Sequence, residues 1–148
     1  MTSEGTRSGI PHFFLNTLRI ATGLLFMQHG AQKLFAAFGA DQAVSLGSLF
    51  GLAGVLEFFG GGLVVLGLLT RPVALLLAVE MAVAYFRAHF PRGWVPIMNH
   101  GELALLYLFV YLFLAANGGG AFSLDGWLAA RRRATTSWVA SLADIPTP

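Results

Sequence analysis

The sequence predicts an all-α fold: an integral membrane four-helix bundle with both termini in the cytoplasm. Three observations lead there. The 148-residue chain is 56% hydrophobic and only 11% charged, against about 25% charged residues in an ordinary soluble domain. A chain of this size cannot clothe itself in a polar skin from so few charges, so lipid is the natural solvent for its surface. Four apolar segments approach the length of about 20 residues that a spanning helix needs. Their boundaries coincide with residues that stop or start helices.

The first segment runs from about Phe13 to Phe38 and carries His29 and Lys33 inside an otherwise apolar run. Its length and Lys33 read against a cleaved signal peptide. The second runs from about Gly51 to Leu69 and is interrupted only by Glu57. The third, from about Pro72 to Phe90, begins with a proline, which fits the first turn of a helix because its missing N–H has no helical partner there. The fourth, from about Asn99 to Asn117, ends at "NGGG", where glycine can take the left-handed cap conformation. The connection from Gly39 to Phe50 is long enough for a short surface helix. Residues 1–12 are expected to be a disordered segment, 13–128 a single transmembrane domain, and 129–148 a basic, poorly ordered cytoplasmic tail.

Orientation follows the distribution of positive charge. Arg7, Arg19, Arg71, Arg131, Arg132 and Arg133 fall on one side, and Lys33, Arg87 and Arg92 on the other. The excess places both termini inside, in a multi-pass membrane protein. Arg19 is then expected to extend its guanidinium to the inner interface.

With that topology, the ionisable groups gather in the outer half of the membrane. At about 1.5 Å per residue, Lys33 lies roughly 8 Å and His29 roughly 13 Å from the outer end of the first helix, and Glu57 roughly 9 Å from that of the second. Glu80 lies near the middle of the third helix with Arg87 above it, and His100 and Glu102 open the fourth. A charge at a helix centre costs about 2.5–3.5 kcal/mol on insertion scales, so such groups persist when they face one another or a wet cavity. His29, Lys33, Glu57, Glu80, Arg87, His100 and Glu102 are therefore the candidate ligand or proton site. A set of ion pairs that only fixes helix packing is the structural alternative.

Glycines crowd the second segment, including Gly47, Gly51, Gly54, Gly60, Gly61, Gly62 and Gly67. Small residues let helices approach closely, either within the chain or in a homo-oligomer formed through this helix. Tyr85, Phe86, Phe90 and Trp94 at one boundary, and Trp127 and Trp138 near the other, read as interfacial anchors. The absence of cysteine excludes disulfides, thiolate clusters and Cys nucleophiles. No nucleotide-binding or zinc-protease motif is present, the histidines do not show metal-ligand spacing, and no basic stripe suggests nucleic acid.

The chain resembles the DoxX family of small four-helix bacterial membrane proteins over roughly Leu18 to Trp127. The resemblance is carried by His29-Gly30 with Lys33-Leu34, by Glu57, Gly60, Gly61 and Gly67 with the turn at Arg71, by Glu102 with Tyr107, and by "GGGAFSLD" with Gly118, Gly120, Ser123, Leu124 and Asp125. The third helix departs most from the pattern. The resemblance implies the bacterial cytoplasmic (inner) membrane. Some DoxX-like proteins are subunits of thiosulfate:quinone oxidoreductases, others accompany membrane complexes that handle oxidative or thiol stress, and most members have no established reaction. Without cysteine, this chain would contribute by binding quinone, moving protons or holding redox partner subunits. No cofactor is evident in the sequence itself, and quinone is the class the reading admits. A small-solute or proton-coupled transporter and a scaffold without chemistry are the alternatives.

Overall fold

The computed structural model describes residues 4–143. Over these residues it is all-helical: α1 (Glu4–Phe35), α2 (Leu49–Leu66), α3 (Thr70–Arg92), the short turn α4 (Pro96–Asn99), α5 (Glu102–Asn117) and α6 (Leu124–Ala143). No strand occurs among the described residues. Two stretches, α2 and α3, are long and apolar enough to cross a membrane. The 16 residues of α5 are apolar but shorter, spanning about 24 Å against a hydrocarbon core of about 30 Å.

Helix α1 begins well before the expected Phe13. Its buried residues Asn16, Arg19, Gly23, Phe26 and Gly30 recur every three or four positions, giving one inward stripe. The helix ends where Ala36 and Phe38 take left-handed backbone conformations, φ 52° and 54°. The connection that follows folds back through a hydrogen bond from the Val44 N–H to the Lys33 carbonyl (2.8 Å). It forms turns rather than the short helix allowed by its length. Ser48 then caps α2, its hydroxyl accepting the Gly51 N–H at 3.0 Å.

Helix α2 closes at Leu66, with Gly67 left-handed (φ 67°), three residues before the expected Leu69, and α3 opens at Thr70, two residues before the expected Pro72. Two further departures occur at the chain ends. The segments expected to be disordered are helical where described, from Glu4 and up to Ala143; residues 1–3 and 144–148 lie outside the described residues. The run "LDGWLAARRRA" that opens α6 is dense in good helix formers, and Arg131 stacks over the Trp127 ring at 3.9 Å.

Packing divides the molecule into two close pairs, α1 with α2 and α3 with α5. In the first pair, Gly61 meets the Gly23 carbonyl of α1, where an added Cβ would come to 2.9 Å. A Cβ at Gly30 would collide with the Phe58 backbone. Gly54 and Gly61 thus seat α2 on α1 within the chain, the first of the two uses expected for the glycines of this segment. Phe26, Val64, Leu77, Tyr111 and Leu114 are fully buried between the pairs. The outer surface is apolar, with Leu52, Leu66, Leu75, Val79, Phe109 and Phe113 all exposed. Two seams remain where the pairs meet less closely, one between α2 and α3 and one between α1 and α5.

Candidate functional site

The α2/α3 seam holds a cavity of about 300 Å³. Its walls are apolar, among them Leu52, Leu56, Leu76 and Val79, and its polar lining comes from Lys33, Glu57, Glu80 and Arg87. Lys33 reaches from α1 and donates a hydrogen bond to Glu57 Oε1, forming the ion pair of the site. Glu57 is buried and Lys33 partly so. Glu57 Oε2 and both oxygens of Glu80 are buried without a hydrogen-bond partner. Three acceptor atoms at one cavity thus have no protein donor, an unusual condition for buried polar atoms.

Local backbone geometry helps set this arrangement. Glu57 lies in a π-helical turn, Leu56–Gly60, and Arg87 in a second one, Tyr85–His89. A π turn inserts an extra residue into a helix and shifts the direction of the side chains around it. Both interruptions fall beside the cavity.

Of the residues expected to form one site, the structure brings Lys33, Glu57, Glu80 and Arg87 to the cavity. Arg87 is exposed at its edge and makes no ion pair with Glu80 among the described contacts. His29 lies elsewhere, in the α1/α5 seam, edge-on to Tyr107 with ring centroids 6.1 Å apart. His100 and Glu102 line neither seam; both are exposed at the start of α5. There Glu102 complements the positive end of that helix. Sequence reasoning missed Tyr111, which is buried beside Tyr107 with its hydroxyl unpartnered. The spacing "YLFVY" was its signal, since it places two hydroxyls on one face of an apolar helix.

The opposite end of the bundle is a polar lock. Arg19 is 1% exposed and does not extend to the interface as expected. Its guanidinium donates to the carbonyls of Gly119 (2.9 Å), Val64 (2.6 Å), Val65 and Phe122 (2.7 Å). It thereby ties α1 to the last turn of α2 and to the loop before α6. Asp125 completes the lock by accepting the N–H groups of Leu69 and Thr70, each at 2.8 Å, at the start of α3. Burial pushes the Asp125 carboxyl up, but these hydrogen bonds and the nearby Arg19 outweigh it and hold its pKa below the usual carboxylate range. Its stabilising contribution is therefore present above the unfolded-state pKa and is lost as pH falls through the lower folded-state value. Asp125→Asn is expected to lower stability by about 1 kcal/mol at neutral pH, with the deficit shrinking in acid. Thermal midpoints of both proteins in detergent at neutral and acid pH check this; a deficit that grows in acid contradicts the sign.

These features define a helical membrane protein with an ionic group held inside its helices. The chain belongs to the DoxX family, whose model matches residues 14–90. That match covers Lys33, Glu57, Glu80 and Arg87 and ends before α5. The chain is 42% identical over 120 residues to an uncharacterized protein of Haemophilus influenzae, covering 76% of this chain and 89% of that protein. It is 31% identical over 112 residues to the "Putative oxidoreductase CatD" of Bacillus subtilis, covering 73% and 81% respectively. It is also 32% identical over 137 residues to the "Uncharacterized membrane protein Rv3486" of Mycobacterium tuberculosis, covering 79% and 82%. No solved structure matches the chain. Among the described residues, no group of three or more His, Asp or Glu side chains is placed to hold a metal ion.

Proposed function

We propose that this chain is a membrane-embedded subunit of a quinone-linked oxidoreductase system, and that the α2/α3 cavity receives the quinone head group. The chain crosses the bacterial cytoplasmic membrane four times, through α1, α2, α3 and α5, with both termini in the cytoplasm. Partner subunits bring the electrons. The observation that carries the reading is the cavity itself: apolar walls with an ion pair and unpartnered carboxyl oxygens. A flat apolar ring with carbonyl edges fits such a lining. Similarity to a protein named as an oxidoreductase supports the same reading.

A bound quinone supplies an acceptor for two electrons and two protons. The protein's part is positioning and proton handling. Lys33 can turn one N–H from Glu57 toward a ring oxygen, placing positive charge where negative charge develops. Glu57 Oε2 and the Glu80 carboxyl are the groups able to exchange protons at the cavity. Arg87, at the cavity edge, favours polar oxygens over a plain hydrocarbon tail. Glu57 and Glu80 could also serve a proton-coupled carrier, but the cavity lies at a seam between two helices rather than along an axial pore.

The test is quinone binding to the full chain in nanodiscs, with a short-chain ubiquinone as probe. Saturable binding is expected, weakened about tenfold or more by Val79→Trp, which fills the cavity from an exposed position. If the unsubstituted protein shows no saturable binding, or Val79→Trp binds equally well, the reading fails.

A further inference from the structure

Helix α6 opens at the point where α2 ends and α3 begins. The Asp125 N–H donates to the Gly67 carbonyl at 2.9 Å, and the Asp125 carboxylate accepts the N–H groups of Leu69 and Thr70. Ser123 turns the chain into the helix, its hydroxyl donating to the Gly120 carbonyl (2.6 Å) and accepting the Gly126 N–H (3.0 Å). The first turn is therefore fixed to the bundle. Beyond it, α6 continues to Ala143 without packing broadly against any other helix among the described residues. A helix draws most of its stability from packing one face on a surface, and for α6 the chain itself supplies little such surface.

The face that needs cover is identifiable. Leu124, Trp127, Leu128 and Arg131 follow the i, i+3, i+4, i+7 spacing of a single helix face, and all four are exposed. The residues on the opposite side at the same level, Asp125, Gly126 and Ala129, are partly buried. Arg131 lays its guanidinium over the Trp127 ring at 3.9 Å. No ion pair engages Arg131, Arg132 or Arg133 among the described residues. Arg71, also exposed, adds a fourth arginine at this end of the bundle, against an Asp125 whose two oxygens are already engaged.

The surface that covers this stripe has to suit indole, leucine and guanidinium together. It also lies at the level where the lipid-facing surface of the bundle ends. Leu66 and Leu69 are exposed on either side of Gly67, and Phe122 is exposed just before α6. The headgroup layer of the bilayer meets both conditions: tryptophan rings settle in it, and guanidiniums reach phosphates from it. The positive charge selects anionic headgroups over zwitterionic ones.

We propose that α6 is an interfacial anchor, lying along the membrane surface with Leu124, Trp127 and Leu128 in the headgroup layer and Arg131 and Arg132 on the phosphates of anionic lipids. The three consecutive arginines are then unequal. Arg131 belongs to the stripe, Arg132 stands at its edge, about 90° round, and Arg133 points the other way, about 180° round. The anchor shares with the quinone reading only the place of the bundle in a membrane, and its test uses no quinone.

The chain has no cysteine, so Leu128→Cys and Arg133→Cys can each carry one nitroxide spin label in the full chain. Both are placed in nanodiscs of phosphatidylcholine mixed with phosphatidylglycerol. Collisions with oxygen, which concentrates in the bilayer, and with a water-soluble nickel chelate report the depth of each label. The Leu128→Cys label is expected about 5–10 Å into the headgroup and acyl boundary, and the Arg133→Cys label in water. In phosphatidylcholine alone, the ratio of seated to water-exposed α6, read from the Leu128→Cys label, is expected to fall about tenfold or more. In the mixed lipid, Arg131→Gln and Arg132→Gln each lower that ratio about fivefold, and Arg133→Gln lowers it less. Two labels in water overturn the anchor. A Leu128→Cys label reached by neither reagent overturns it as well, because a protein partner or a second copy then covers the stripe. Equal effects of the three arginines, or no dependence on phosphatidylglycerol, overturn the anionic-lipid face.

Discussion

Arg19→Ala is expected to destabilise the protein by about 3–5 kcal/mol, the range seen when a buried charged group is removed from its partners. The substitution strands the carbonyls of Val64, Val65, Gly119 and Phe122 in a site with 1% exposure. Each buried acceptor left without a donor costs about 1–3 kcal/mol, and partial relaxation keeps the total below the simple sum. Arg19→Lys is expected to recover only part of the loss. An ammonium has three donors on a flexible stem, whereas the guanidinium presents a planar fork to carbonyls on two sides. Unfolding of the three proteins in mixed micelles measures the effect. A loss in Arg19→Ala within about 0.5 kcal/mol, typical of a surface substitution, would show that these hydrogen bonds do not hold the helices together.

The lock also explains what the sequence conveyed and what it withheld. The glycine stop after Asn117 was legible, and a reversal near Pro72 was too, although the chain turns at 67–69 and takes Arg71 and Pro72 into α3; Pro and Gly act through local backbone preferences that need no partner. The role of Arg19 was not. A long cationic side chain near a helix end can reach water or fold inward, and only the position of distant carbonyls decides which. The segment "GGGAFSLD" was legible as a motif but not as a device. In the structure its loop offers the Gly119 and Phe122 carbonyls to Arg19, and Asp125 caps α3.

Depth was readable along the candidate site, and azimuth was not. Counting residues put Lys33 and Glu57 at matching levels, and they pair. The same counting grouped His29 with them, because residues four apart share a helix face. Four residues advance about 400°, leaving an offset of about 40°. On a helix wedged between two neighbours, that offset suffices to turn Lys33 toward α2 and leave His29 beside α5. His100 and Glu102, grouped with them by level alone, are exposed at the start of α5 and line neither seam. Glu80 also reaches the cavity, and the family match over residues 14–90 takes in nearly all of its helix, the one expected to depart most from the pattern.

Lys33→Met alone and Glu57→Gln alone are each expected to lower stability, by about 3 kcal/mol for the charge left unpaired in Lys33→Met. The double substitution Lys33→Met with Glu57→Gln removes both charges and should recover much of that loss, with a coupling of about 1–3 kcal/mol. Stability alone cannot separate a structural ion pair from a functional one, since either gives this cycle. Quinone affinity separates them. In the double variant a scaffold would regain ligand binding together with its fold. A site in which Lys33 supplies the positive end would regain the fold and still bind short-chain ubiquinone about tenfold or more weakly. The second outcome is expected, because Glu57 Oε2 and both Glu80 oxygens already lack protein donors. Lys33 is the one cation hydrogen-bonded to a carboxylate there among the described residues, so removing it leaves a ring oxygen without that donor even when the helices pack as before.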